Sequence, residues 1–230
     1  MQVLHEAKHT MTIPTREDVI NIYRKRAKRY DITANLYYLI GFREGAYRKK
    51  AVDALNLQRG DTVVEIGCGT GMNFSLLQQA IGHDGKIIGV DLTDDMLAQA
   101  RKRVEEKGWA NVELVVSDAA SYKFPECIDG IISTFALTLV AEYDKVVQNG
   151  CLALKPGKRW AVLDFKMPSS RVSWLAPLLV LLTRPFGVTV ELAERHPWES
   201  INKYLRNASM TEFYMGFVYI AAGERARDGC

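Results

Sequence analysis

The sequence predicts an α/β fold: a doubly wound, mainly parallel sheet wrapped by helices. Three observations predict it. Strand-like and helix-like segments alternate regularly from residue 61 onward, and an apolar strand runs directly into three closely spaced glycines, Gly67, Gly69 and Gly71. The next strand then ends on a carboxylate, Asp91, where a doubly wound sheet places its ligand-facing edge. With 230 residues, 48% of them hydrophobic, the chain can close one sizeable core, so one large domain with a small lid is expected.

Taken in order, residues 1–15 mix His, Glu, Lys and Thr and lack the continuous apolar run of a signal peptide. Residues 15–30 read as a basic helix after Pro14, and 45–55 as a second one. Both are rich in Tyr and Arg and precede the first strand, so 1–58 is expected to form a helical cap. Strands are expected at 62–66, 86–90, 112–116, 130–133 and 159–164, with helices at 72–81, 94–107 and 143–154. Gly150 should weaken the last of these, and Pro156-Gly157 should separate it from the fifth strand. The aromatic and β-branched run at 211–222 suits one or two closing strands, with Gly223 opening a frayed end. The main domain is thus expected over 59–223, with a substrate-covering insertion around 166–210 and a tail at 224–230.

Charge and cysteine usage exclude several classes. Thirty Lys+Arg against 27 Asp+Glu leave a net charge of +3, too balanced for nucleic acid to be the expected partner. Cys68, Cys127, Cys151 and Cys230 stand far apart, which suggests neither a disulfide framework nor a zinc site; no metal is expected and the compartment should be reducing, hence cytoplasmic.

The glycines leave room for a ligand to approach the backbone, and Asp91 can accept bonds from both ribose hydroxyls. A dinucleotide and a nucleoside both satisfy that test. The loop shape favours the second: a dinucleotide site has GxGxxG facing a pyrophosphate, whereas Gly-Cys-Gly-Thr-Gly follows an acidic Glu65 that would repel one. A cofactor carrying an ammonium and a sulfonium suits Glu65.

Glu65 to Gly71, Asp91 and Asp118-Ala119 resemble the cofactor motifs of class I S-adenosylmethionine-dependent methyltransferases. The resemblance implies a Rossmann-like seven-stranded sheet with its last strand antiparallel. It also implies that Glu65 and the backbone of Gly67, Cys68, Gly69 and Gly71 surround the methionine portion of S-adenosyl-L-methionine. Asp91, followed by Leu92, would hold the ribose, Met96 the adenine face, and Asp118 the adenine amino group with Ala119 beside it. The stretch from Ser133 to Leu137 would lie on the sulfonium side, Ser133 toward the cofactor and Phe135 toward the acceptor. A helix N-cap for Asp118 and plain core packing for Met96 are the alternative readings. Tyr30-Asp31 with Tyr37 and Tyr38 resembles the N-terminal segment of the ubiquinone/menaquinone and phospholipid N-methyltransferase group, which implies that Tyr30 or Tyr38 touches the cofactor or acceptor; aromatic packing of the cap is the alternative.

Methyl transfer from a sulfonium is an in-line displacement that needs a base only when the nucleophile starts protonated. Tyr30, Tyr38, His196, Glu212 and Asp164 are the candidates. Apolar residues 174–183, flanked by Lys166, Arg171 and Arg184, suit an alkyl chain with an anionic head group, or else a buried helix covering the sheet. Lys166, Arg171, Arg184, Arg195 and Tyr219 are the candidate anion contacts. The stretch Arg-His-Pro-Trp-Glu-Ser from Arg195 and the ending from Glu212 resemble bacterial phosphatidylethanolamine and betaine-lipid N-methyltransferases. That ranks a lipid amine as expected acceptor, with a membrane surface as candidate partner, above a small hydrophobic molecule such as a quinone precursor methylated on C or O. Residues 133–138, Ser-Thr-Phe-Ala-Leu-Thr, lack the Asn/Asp-Pro-Pro-aromatic loop of base-flipping methyltransferases. Acceptor atom, number of methyl groups and oligomeric state stay open.

Overall fold

The computed structural model describes residues 16–27, 41–168, 192 and 195–227. Seven strands, β1 (Thr62–Ile66), β2 (Lys86–Asp91), β3 (Val112–Val116), β4 (Ile128–Thr134), β5 (Leu154–Phe165), β6 (Arg206–Phe213) and β7 (Val218–Glu224), form one sheet in the order β3-β2-β1-β4-β5-β7-β6. The pairs from β3 across to β5 are parallel, while β7 runs antiparallel to both β5 and β6. The antiparallel last strand is therefore as expected.

Parallel strands need crossover helices, and these cover both faces. α2 (Glu44–Asp53), α3 (Phe74–Ile81) and α4 (Asp94–Lys107) lie on one side, burying Val63, Leu77, Ile87, Leu97, Ile132 and Leu163. α5 (Tyr143–Ala153) and α6 (Pro197–Tyr204) lie on the other, over Val64, Ile66, Ile131, Trp160 and Val162. Adjacent residues such as Val63 and Val64 thus enter opposite cores, which is why the central strands read as continuous apolar runs. The first helix, α1 (Arg16–Arg26), rests on α4 through the Arg24–Asp95 ion pair, 2.9 Å. Among the described residues no helix is long and apolar enough to cross a membrane.

Several element boundaries differ from the expectation. β5 starts at Leu154, directly after α5, and runs through Pro156 and Gly157 across an irregularity in its pairing with β4. An interrupted ladder tolerates the missing proline N–H. Gly150 lies inside α5, where a Cβ would overlap Trp160 Cζ3, so it is a packing notch and not a helix terminator. β6 begins at Arg206, five residues before the expected run, and Gly223 is a paired residue of β7 opposite Trp160. The short helix α6 is an element the sequence did not announce. Tyr30, Tyr38, Arg171, Arg184 and the apolar run at 174–183 lie outside the described residues.

Candidate active site

The strand order sets where a ligand can sit. From β1 the sheet grows through β2 and β3 in one direction and through β4 and β5 in the other, so the loops after β1 and β4 diverge and leave a crevice at their C-terminal ends. Ile66 sits in register with both Val90 and Ser133, which brings the ends of β1, β2 and β4 together there. A cavity of about 330 Å³ opens at this point, walled by the glycine loop, the start of α4, residues 117–120 after β3, and residues 134–136 and 139–142 at and after the end of β4.

The glycine loop is tied to β2. Gly67 and Cys68 donate their N–H groups to Val90 O at 2.8 and 3.0 Å, and Gly69 N–H donates to Asp91 Oδ2 at 2.8 Å. Asp91 Oδ1 accepts from Thr93 N and Oγ1 at 3.0 and 2.9 Å. Burial pushes the Asp91 carboxyl up, against these bonds that hold it ionised. Gly67 has φ of 69°, and a Cβ there would overlap Ala136 Cβ, so this residue lets the loop after β4 close on the loop after β1. Burial, with Asp91 and Glu65 nearby, raises the Cys68 thiol well above its usual range and keeps it protonated.

Behind the loop lies a buried polar network. Asn73 Nδ2 donates to Glu65 Oε1 at 2.6 Å and to Thr134 Oγ1 at 2.9 Å. Arg48 from α2 donates to Thr134 Oγ1 at 2.5 Å and Asn73 Oδ1 at 3.2 Å, while its Nε donates to Glu44 at 2.8 Å. Glu65 is 1% exposed, and its Oε2 has no hydrogen-bond partner among the described residues. Burial lifts its carboxyl to about 8 despite the opposing pull of Arg48 and Asn73. Glu65 therefore stands behind the cavity, whose wall here is made by its neighbour Ile66 and by Thr134, and its charge is felt there through the loop rather than by direct contact.

Gly67, Cys68, Gly69, Asp91, Leu92, Met96, Asp118, Ala119 and Phe135 line the cavity. Met96 is 2% exposed, with its methyl group 3.1 Å from where a Gly69 Cβ would stand. Asp118 Oδ1 accepts from Ala120 N at 2.9 Å, and Oδ2 pairs with Arg16 at 3.0 Å; each oxygen keeps a second lone pair for an incoming donor. Gly71 does not line the cavity: a Cβ there would meet Phe74 Cδ2 at 2.6 Å, so its work is packing at the start of α3. Ser133 is buried inside β4, and Thr134 is the residue that faces the cavity.

The remaining predicted residues stand elsewhere. Tyr219 is fully buried against Trp198, ring centroids 4.9 Å apart, which departs from its expected place at an acceptor surface because β7 turns it into the α6 side of the core. Glu212 is ion-paired to Lys166, whose ammonium also lies 5.5 Å over the Trp198 ring. His196 Nδ1 is bonded to Glu199 Oε1 at 2.9 Å, and Arg195 donates to Thr138 O at 2.8 Å. Arg16, Tyr23 and Arg48 line the cavity without having been singled out in the sequence. Among the described residues no group of three or more His, Cys, Asp or Glu could hold a metal ion.

The model of the ubiE/COQ5 methyltransferase family matches residues 9–176. Demethylmenaquinone methyltransferase of Listeria welshimeri is 29% identical over 161 residues, 69% of this chain and 67% of that protein. Ubiquinone/menaquinone biosynthesis C-methyltransferase of Salmonella arizonae is 31% identical over 65% of this chain and 60% of its own length, so the match leaves over a third of that relative uncovered. Among solved structures, geranyl diphosphate C-methyltransferase from Streptomyces coelicolor, complexed with S-adenosyl-L-homocysteine, has the same fold, with a TM-score of 0.64 at 14% identity over 80% of this chain and 76% of that one.

The cofactor of such enzymes is S-adenosylmethionine, and the cavity suits it: Asp91 at the β2 end for its ribose, Asp118 with Ala119 after β3 for its adenine, and the backbone of Gly67, Cys68 and Gly69 along the floor; Glu65 does not line the cavity but stands directly behind Ile66 and Thr134, which do. Family match, fold and cavity chemistry agree: the chain belongs to the ubiE/COQ5 methyltransferase family and is an S-adenosylmethionine-dependent methyltransferase.

Proposed function

We propose that this enzyme methylates a ring carbon of a quinol-type or similarly planar, hydrophobic acceptor, with a lipid amine as the lesser reading. The observation that carries the reading is Phe135. It leaves β4 with φ of 54°, a left-handed conformation that non-glycine residues rarely adopt, and lines the cavity. Its ring belongs to an aromatic group, 4.7 Å from Phe165 and 6.0 Å from Phe42, with the Arg48 guanidinium 5.3 Å from its centroid. Among the described rings of this group only Phe135 lines the cavity, the others backing it from the core, and it offers a flat apolar ring an offset or edge contact. Transfer to a ring carbon forms a C–C bond, breaks the S–CH3 bond to leave S-adenosylhomocysteine, and ends with loss of the ring carbon's proton to solvent or a base, so both acceptor classes need a proton to leave; of the expected carboxylates, Glu212 is engaged by Lys166 and Asp164 by the amides of Thr138 and Phe165. The Listeria and Salmonella relatives, both named for quinone methylation, support the same order of preference.

When bound, S-adenosylmethionine supplies an electrophilic methyl group on a sulfonium. In the proposed arrangement Glu65 acts on the cofactor's ammonium from behind the loop and Asp91 faces its ribose, with Leu92 beside it. Met96 and Ala119 flank the adenine, and Asp118 accepts from its amino group. Asn73, itself held by Arg48, fixes Glu65 Oε1, so the carboxyl keeps its place and has only to lose its proton when a cation arrives. Phe135 and Ala136 then border the acceptor side, where they exclude water and align the attacking carbon. Of the expected cap at 1–58 and insertion at 166–210, α2 and α6 pack on the two faces of the sheet and Arg206 begins β6, so these parts are not a lid; the rest, with Tyr30, Tyr38, Arg171 and Arg184, is proposed to complete the acceptor side.

The test is incubation with S-adenosylmethionine bearing a deuterated methyl group and a panel of quinols lacking a ring methyl and of ethanolamine phospholipids. Label on a quinol ring carbon, read by fragment masses, is the expected outcome. Label confined to the phospholipid nitrogen would reverse the ranking.

A further inference from the structure

The loop after β4 forms one wall of the cavity through Phe135, Ala136 and residues 139–142, yet Thr138 in its middle does not line it. Thr138 is buried and held at both backbone ends by charged side chains from elsewhere. Its N–H donates to Asp164 Oδ2 at 2.9 Å, and its carbonyl accepts from Arg195 Nη1 at 2.8 Å. Asp164 ends β5 and is 2% exposed; its other oxygen accepts from Phe165 N at 2.9 Å. Arg195 stands just before α6, where the chain returns to the described fold after the segment following β5. Placing a carboxylate in the interior is unfavourable unless it is bonded, and here its bonds go to backbone amides that shape the loop. Burial raises Asp164 to about 6 against the pull of those same amides.

We propose that Arg195 and Asp164 are positioning residues for cofactor binding: together they clamp Thr138, and so set the cavity wall formed by residues 139–142. A loop containing the left-handed Phe135 and a single 3-10 turn, Leu137–Leu139, has little intrinsic reason to hold one shape. The inference rests on the cofactor and is independent of the acceptor.

The experiment is calorimetric titration with S-adenosylhomocysteine of the wild-type, Arg195→Ala and Arg195→Lys proteins, with amide hydrogen exchange and thermal melting on the same samples. Wild-type binding comes first, and its absence would count against the cofactor site itself rather than the clamp. Arg195→Ala is expected to weaken binding about tenfold, in keeping with loss of one charged hydrogen bond. Exchange should quicken selectively in residues 135–142 while the melting temperature falls by no more than about 6 °C. Lys, which can still donate to a carbonyl, should recover part of the affinity; if the alanine variant does not fold, the lysine variant's intermediate affinity and local exchange carry the test. Unchanged affinity and exchange would overturn the proposal, and so would a falling melting temperature with exchange rising throughout the sheet.

Discussion

Glu65 is the most consequential titratable group beside the site, because burial lifts its carboxyl to about 8 and, among the described residues, its Oε2 has no hydrogen-bond partner. At pH 7 the cofactor-free protein holds it mostly protonated. A bound ammonium favours the ionised form, so binding releases a proton and affinity rises with pH between about 6 and 8. Calorimetric titrations at pH 7 in buffers of different ionisation enthalpy should therefore register proton release, and Glu65→Gln should abolish it while weakening binding. Equal apparent enthalpies in all buffers would contradict the assignment. Much of this was legible in the chain, since Glu65, the glycines and Asp91 lie at fixed spacings on one strand–loop–helix–strand unit. Arg48, Asn73 and Thr134 were not, because they meet Glu65 only when α2, the α3 entry and β4 converge, and no local pattern records that convergence. The signal available was a buried carboxylate that needed partners.

At the scale of elements, α5 shows how a residue misleads when read without its neighbours. Gly150 looks like a weak point, and replacing it with Ala in an isolated helix would gain about 1 kcal/mol. Here the added methyl would overlap Trp160, which is fully buried, and approach Ile131 Cδ1 at 3.0 Å. Overpacking of this kind costs about 1–3 kcal/mol, so Gly150→Ala is expected to be net destabilising and to lower the melting temperature by a few degrees, about 2–4 °C per kcal/mol. A rise in melting temperature would show that α5 can shift away from β5. β6 was foreshortened for a related reason: Arg206-Asn-Ala-Ser-Met carries little β-branched or aromatic content and is largely exposed at the sheet edge, so its strand identity comes from pairing with β7 rather than from its own sequence. The buried central strands, in contrast, needed two apolar faces and announced themselves.

Across the whole molecule, the site makes the cofactor-free fold sensitive to pH. Glu65 and Asp164 have folded-state values of about 8 and about 6, both above their ordinary ones. Between each ordinary value and its raised one the folded state holds more protons than the unfolded state, so stability falls as pH rises from about 4.5 toward 8. The melting temperature of the cofactor-free protein should accordingly decline over that range, and S-adenosylhomocysteine should flatten the decline by stabilising ionised Glu65. A melting temperature that climbs with pH would mean these carboxyls are better solvated than their burial implies. The sheet order that creates the crevice was readable from alternating strands and helices, whereas the acceptor side depends on segments far apart in sequence, which is why a lipid amine outranked a quinol on sequence alone. The measurement that tests the account most directly is calorimetric titration of the wild-type and Asp91→Ala proteins with S-adenosylhomocysteine. The account predicts saturable one-to-one binding by the wild type and a loss of at least about tenfold in the variant, with the fold retained by circular dichroism. Equal affinity in the two proteins, or no binding by a folded wild type, would contradict it.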